Sequence, residues 1–361
     1  MSDKKIFLSS SPHYTKGYST QKIMALVLTA LLPECVFGVI VFGIRALTTI
    51  AVSVICSVGF EALFQKITKQ KVVVNNLSAA VTGVLLALVC PSTVPVWMII
   101  LGDAVAVIVA KGLFGGIGSN VFNPALTGRA FMFLSFSSVM GASWFDPASG
   151  ANKWSFAESS LNNLDAVSSA TVLSQIKNGT AYMDNSTLFQ YFIGNRAGCI
   201  GETSILLILI SFIFLLATRV IDFRAPLAMV GTVVIATFIS SYATLPMWDN
   251  ALQEVLMALL SGGLLFGATF MVTDYATTPV TKPGRWVFGA GCGLITFLIR
   301  HFGGYPEGVM FSILIMNAIA PFLNNLIPTK YGYGKKAHRH ADADRIVQEF
   351  DLKNARTEDV K

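Results

Sequence analysis

Charge is almost absent from long stretches of this chain, and that limits what it can fold into. Apolar runs such as Ile23–Ile44, Leu47–Phe64 and Pro226–Leu245 follow one another with few ionisable residues inside them. A bilayer span needs about 20 such residues. The whole chain has 361 residues, 53% of them hydrophobic and 13% charged, against about 25% charge in an ordinary soluble domain. Mean hydropathy is +0.63. There are 26 Lys and Arg and 20 Asp and Glu, and 14 of these 46 lie from Lys330 onward. Such figures exclude a soluble globular enzyme, a disordered chain and a nucleic-acid binder working through a basic face. They leave an all-α polytopic membrane protein in contact with the lipid bilayer.

Ten spans are expected. Besides the three above they are Leu77–Val89, Val96–Ala110, Ala125–Met140, Ser204–Thr218, Val255–Val272, Trp286–Arg300 and Val309–Ile327. The third, fourth and fifth are short enough to be tilted, broken or re-entrant. Cytoplasmic connections of membrane proteins collect Lys and Arg. With the N-terminus inside, that side gathers Lys4, Lys5, Lys16 and Lys22, then Lys66, Lys69 and Lys71, then Lys111 and Arg129. It also gathers Arg219, Arg224, Lys282, Arg285 and the basic tail. The outer side keeps Arg45, Lys153, Lys177, Arg196 and Arg300. The expected plan is a cytoplasmic N-terminus (1–22), a five-helix half (23–140), an extracytoplasmic loop (141–203), a second five-helix half (204–329) and a cytoplasmic tail (330–361). Nine or eleven spans would put the tail or the lysine cluster outside. An odd number of spans per half makes the halves inverted repeats. Two connections, Gly115–Arg129 and Thr273–Arg285, are both rich in Gly, Pro, Asn or Thr, end in Gly-Arg, and suggest a pseudo-symmetric site between the halves.

No Walker A, HExxH, GxSxG or paired CxxC occurs. The alternating Gly289, Gly291 and Gly293 suit close helix packing. The five cysteines are too scattered for a disulfide framework or a metal site, and four lie in apolar stretches. The N-terminus lacks the order of a removable signal peptide.

Acidic residues inside spans are costly and are functional candidates. Glu34 follows Pro33, which frees a backbone carbonyl. Asp103 follows Gly102 in the short fourth span and is expected to face the cavity between the halves. Asp274 lies at a span end, and Glu61, near the cytoplasmic end, is expected to snorkel. Asp103, Glu34 and Asp274 are the ion-path candidates; burial with hydrogen-bond partners is the plain alternative.

In the outer loop, Asp165-Ala166-Val167-Ser168-Ser169-Ala170-Thr171 places an acid and small residues before a threonine. Small neighbours leave the hydroxyl open to close approach. A helix N-cap in a Ser-rich loop would read the same way. The segment resembles the flavinylation motif D-x-x-[S/T]-G-A-[T/S], with Ser169 where Gly is usual. Two further stretches fall in the right order around it. They are NVFNPALTGRAFMF (Asn120–Phe133) and TDYATTPVTKPGRWVFGAG followed by RHFGGYPEGVMFSILIMNAIAPF. Together they resemble the RnfD/NqrB family over nearly the whole chain, and the length is closer to RnfD.

The resemblance implies an electron-transfer membrane subunit of an Rnf-type ferredoxin:NAD+ oxidoreductase that couples redox to Na+ or H+ translocation. It implies FMN esterified to Thr171 by a flavin transferase acting outside the cytoplasm, with Asp165, Ser168, Ser169 and Ala170 supporting. It also implies a non-covalent riboflavin in the membrane part, near the Asn120–Arg129 and Thr273–Arg285 connections. There Asn120 and Asn123 would hold the ring edge and Arg129 would stabilise a reduced anionic form. Each of these three residues reads equally well as a cap or loop residue. The partners would be the other subunits of the complex. A quinone-reducing NqrB-type subunit, a secondary solute transporter and a flavin-free scaffold are the competing readings.

Overall fold

The computed structural model describes residues 19–142, 189, 192–194, 198–244, 248–303 and 308–326. The flavinylation segment with Asp165, Ser168, Ser169, Ala170 and Thr171 lies outside them, as does the tail. Among the described residues the chain is helical, and one isolated bridge, Pro91 with Cys199, is the only β pairing.

Helix α1 (Thr20–Phe42) starts at Ser19, whose Oγ accepts from Lys22 N at 3.2 Å, and runs unbroken through Pro33. Gly43, at φ 75°, turns the chain into α2 (Ile44–Ile67). Both are long and apolar enough to cross a bilayer. Leu32, Ile40 and Ile55 point outward and remain exposed, as lipid-facing side chains do.

Helix α3 (Ser78–Leu88) has 11 residues, about 16 Å, roughly half the hydrocarbon thickness. It is buried almost all round. After it, non-helical backbone at Cys90 and Pro91 pairs with Cys199 and Ile200, including Ile200 N to Cys90 O at 3.2 Å. Two stretches of irregular chain thus satisfy each other at the end of a half-length helix. Helix α4 (Val96–Ala104) continues as a π-helix, Val105–Gly112. Helix α5 (Pro124–Ser135) has Pro124 in its first turn and Asn123 as cap, Oδ1 accepting from Leu126 N at 3.3 Å. A short α6 (Ser137–Ala142) follows.

The chain re-enters through a 3-10 turn (Ile200–Glu202) into α7 (Ile205–Ala217) and α8 (Arg224–Thr244). Arg224–Ala243 is the third stretch long and apolar enough to span. Helices α9 (Trp248–Leu260) and α10 (Leu264–Phe266) pass into a second π-helix, Gly267–Met271. Ala251–Leu260 and Leu264–Met271 meet at a bend of 61°, as in a broken span or re-entrant segment. Helices α11 (Lys282–Phe302) and α12 (Val309–Leu326) complete the described chain.

The packing is tight where glycine permits it. A Cβ on Gly289 would sit 2.2 Å from Ala225 O, and one on Gly293 2.5 Å from Met229 O, so α11 lies directly on α8. Gly291 faces the Met316 side chain on α12 instead. The close-packing expectation for these glycines holds. Between the two parts of the chain, Ser211 on α7 donates to Ala30 O on α1 at 2.7 Å.

Candidate functional site

Two connections, residues 113–123 and 272–281, close one end of the bundle around a cavity of about 390 Å³. Small-molecule pockets are usually about 300–1,000 Å³. Its walls also include the N-terminal ends of α1 and α3 and the C-terminal end of α7. All these ends are ones the charge rule assigns to a single side. Both π-helices run to its rim, bringing Lys111 and Phe270 to the wall. Wide helical turns of this kind recur at functional sites.

The polar groups converge at one side. Asp274 bonds Thr277 Oγ1 at 3.1 Å and Ala276 N at 3.5 Å, and Asn120 also hydrogen-bonds it across the two connections. Burial pushes the Asp274 carboxyl above its usual value, against the pull of those bonds. Asn120 Nδ2 also donates to Phe122 O at 3.1 Å. Asn123 lines the cavity, but its amide is engaged. Its Oδ1 caps α5, and its Nδ2 donates to Met271 O at 3.4 Å, tying the first connection to the second π-helix. For Asn123 the capping reading describes the structure.

Lys111, 4% exposed, reaches the cavity wall and bonds Glu61 Oε1 at 2.9 Å and Ser78 Oγ at 2.6 Å. This overturns the expectation that Glu61 snorkels. Its side chain turns inward and pairs with the buried Lys111 ammonium, so neither charge is left uncompensated. In the sequence Lys111 counts only as a cytoplasmic-side charge just past the fourth span; a lysine bordering an apolar run this closely is also a candidate for a buried counter-charge.

Other candidates lie elsewhere. Arg129 sits on α5 outside the cavity, with Nη2 donating to Cys199 Sγ at 3.4 Å near the opposite loop crossing. It is not among the residues lining this cavity. Asp103 does not line the cavity either. It faces α2, where Ser53 and Ser57 Oγ each donate to Oδ1 at 2.8 Å. Glu34 is fully buried and outside the cavity lining, and neither carboxylate oxygen has a hydrogen-bond partner among the described residues. The two Gly-Arg connections are also not repeat-related. Both border the same cavity, whereas an axis in the membrane plane would exchange the two faces.

Beside the cavity, Arg224 Nη1 and Arg285 Nη1 converge on Asp222 Oδ2 at 2.5 and 2.6 Å. Burial acts to raise the Asp222 carboxyl, but hydrogen bonds and charge from these arginines outweigh it and hold it below the usual value. The Tyr275 hydroxyl donates to Val220 O, closing the wall between the two polar clusters.

Fold and cavity together define a multi-pass helical membrane protein whose cavity is walled by non-helical backbone. The chain belongs to the family described as NQR2, RnfD, RnfE, matching it over residues 7–332. It is 38% identical over 338 residues to the D-type subunit of the Na(+)-translocating ferredoxin:NAD(+) oxidoreductase complex of Acetobacterium woodii, covering 93% of this chain and 98% of that protein. It is 37% identical to the D-type subunit of the proton-translocating ferredoxin:NAD(+) oxidoreductase complex of Clostridium ljungdahlii, covering 91% and 97%. The D-type subunit of an ion-translocating oxidoreductase complex of Stutzerimonas stutzeri is 34% identical over 87% of this chain and 92% of that protein.

Proposed function

We propose that this chain is the D-type membrane subunit of an Rnf-type ferredoxin:NAD+ oxidoreductase, working with the other subunits to couple electron transfer to Na+ or H+ movement. The observation that carries this reading is near-full-length similarity to the corresponding subunits of such complexes from three organisms. The names of the first two favour the ferredoxin enzyme over a quinone-reducing one.

The reading includes ten spans in two inverted five-helix halves, with both termini cytoplasmic. Packing supports it. Helix α2 packs on α3 and α4, as α8 packs on α9 and α11, while α1 meets α7. The sequence leaving α11 reads Phe302-Gly303-Gly304 and leads to Val309. That leaving the first π-helix reads Leu113-Phe114-Gly115-Gly116 and leads to Val121. Each joins the fourth segment of its half to the fifth, which is the correspondence an inverted repeat requires.

Two flavins belong to the proposal: covalent FMN on Thr171 in the outer loop, attached by a flavin transferase, and riboflavin in the cavity. A flavin supplies the exchange between two-electron and one-electron carriers. The cavity's volume and its mixed lining of apolar side chains with Asn120, Asp274 and Lys111 fit a planar, polar-edged ring. Asn120 and Asp274 would orient the ring edge, Lys111 would offset negative charge, and Asn123 would hold the wall in place.

Covalent flavin survives denaturation. The chain's band on a denaturing gel should fluoresce under ultraviolet light, and Thr171→Ala should abolish that fluorescence at unchanged expression. Persistent fluorescence in Thr171→Ala would move the attachment site elsewhere.

A further inference from the structure

Three arginines line a cleft of about 450 Å³ beside the cavity. Arg219 follows the end of α7, Arg224 begins α8, and Arg285 lies in the first turn of α11. Two carboxyls share the wall. Asp274 is engaged by Thr277, Ala276 and Asn120. Asp222 Oδ2 accepts from Arg224 Nη1 and Arg285 Nη1, and its Oδ1 accepts from Arg224 N at 3.1 Å. Arg285 Nε donates to Pro279 O at 3.0 Å. A guanidinium has five N–H donors. The remaining donors of Arg224 and Arg285, and all those of the exposed Arg219 side chain, meet no acceptor among the described residues. Arg219 also has a φ of 54°. Just past a helix end, that left-handed backbone is usually Gly or Asn. Here it carries a long cation instead.

An apolar strip starts at the same cleft. Leu227 N bonds Phe223 O at 3.0 Å, so Phe223, on the cleft wall, is in register with α8. Phe223, Leu227, Ile235 and Ile239 are exposed, and Gly231 among them has open space where a Cβ would sit. Spaced by four or eight, they wind slowly along one side of the helix. Leu227 to Ile239 covers about 18 Å, close to the roughly 15 Å of hydrocarbon in one leaflet. Tyr275 and Trp286, at the cleft and next to Arg285, are exposed aromatics of the kind that sit at headgroup level.

We infer that this cleft binds the phosphate of an anionic glycerophospholipid, with one acyl chain lying along α8. Arginine pairs with phosphate through two parallel hydrogen bonds. Basic pockets on the cytoplasmic side, where the charge rule puts these arginines, suit anionic headgroups. A zwitterionic headgroup brings its own ammonium toward three guanidiniums and is disfavoured. An acidic protein segment would match the arginines but leave the apolar strip unused. The cleft shares Thr273, Asp274 and Tyr275 with the cavity, so the lipid braces the second connection from outside. Neither flavin is needed, so this site can fail while the electron-transfer reading stands.

The test is binding of radiolabelled phosphatidylglycerol to the purified, delipidated complex in detergent. Competitors are unlabelled phosphatidylglycerol, phosphatidylethanolamine with the same chains, and inorganic phosphate. Wild type should show a tight class of sites from which only phosphatidylglycerol displaces the label. Arg219→Asn removes the charge and suits the left-handed backbone; it should weaken that class about tenfold, or about 1.4 kcal/mol. Arg219→Lys should retain most of the affinity. Gly231→Phe fills the open space on α8 without touching an arginine and should weaken binding too. Absence of a tight class, or unchanged affinity in Arg219→Asn, overturns the site. Equal competition by phosphatidylethanolamine or by inorganic phosphate overturns the anionic lipid as its occupant. Wild-type affinity in Gly231→Phe overturns the placement of the chain. Loss of a partner subunit from Arg219→Asn at unchanged lipid affinity overturns the proposal in favour of a protein contact.

Discussion

Lys111 joins three elements through single atoms: the end of the first π-helix, Glu61 on α2 and Ser78 at the start of α3. Removing one partner of a buried pair leaves the other charge uncompensated, at a cost of about 3–5 kcal/mol. Lys111→Met should therefore lower the thermal midpoint of the detergent-solubilised protein sharply. Lys111→Met with Glu61→Gln should recover much of it. Equal losses in the single and double variants would mean that the pair does not hold the elements together. Asp222 behaves differently because it lies outside the spans and is partly exposed. Its folded carboxyl is held below the usual value, so it contributes stability above the unfolded value, about 3.9, and loses it as pH falls through the lower folded one. Asp222→Asn should be less stable than wild type at pH 7, and the gap should close toward pH 3. Melting curves at the two pH values check the sign.

Among the elements, helix α11 depends on one bare face with two glycines. Gly289 and Gly293 let its backbone meet α8, and no side chain fits there without moving a carbonyl. Gly293→Val should cost about 1–3 kcal/mol or more by overpacking and should lower the yield of folded protein in membranes. Gly231 has open space around its Cβ position, so Gly231→Ala should be tolerated. Thermal melts of both variants test the contrast. These contacts were legible in the sequence because glycines four apart in an apolar run have few other uses. The long helices were legible for the same reason, since nothing but a bilayer suits such runs. Partner choice was not legible. Glu61 and Lys111 are 50 residues apart, and a span that is apolar all round gives no moment to say which face turns inward. The polar spacing on α2 was the available clue, since Thr49, Ser53, Ser57 and Glu61 fall on one side of any helix. Arg129 shows the opposite failure. Its position beside a Gly- and Asn-rich connection suggested a ligand contact, but one and a half turns of α5 carry it away from the cavity.

For the molecule as a whole, the described residues put a cavity at one end of the bundle, and the segment bearing Thr171 lies in sequence between α6 and α7. If that segment carries FMN outside and riboflavin sits inside, the helices between them serve as a rigid spacer for two redox centres. The cavity's irregular walls are the part of the fold that composition foretold best, through Gly, Asn, Thr and Pro in both connections. Their mutual placement required the tertiary structure. The most direct measurement is mass spectrometry of the proteolytic peptide bearing Thr171, taken from the complex matured together with its flavin transferase. The account predicts that peptide with FMN joined through its phosphate to Thr171; a bare Thr171 peptide from such material would contradict it.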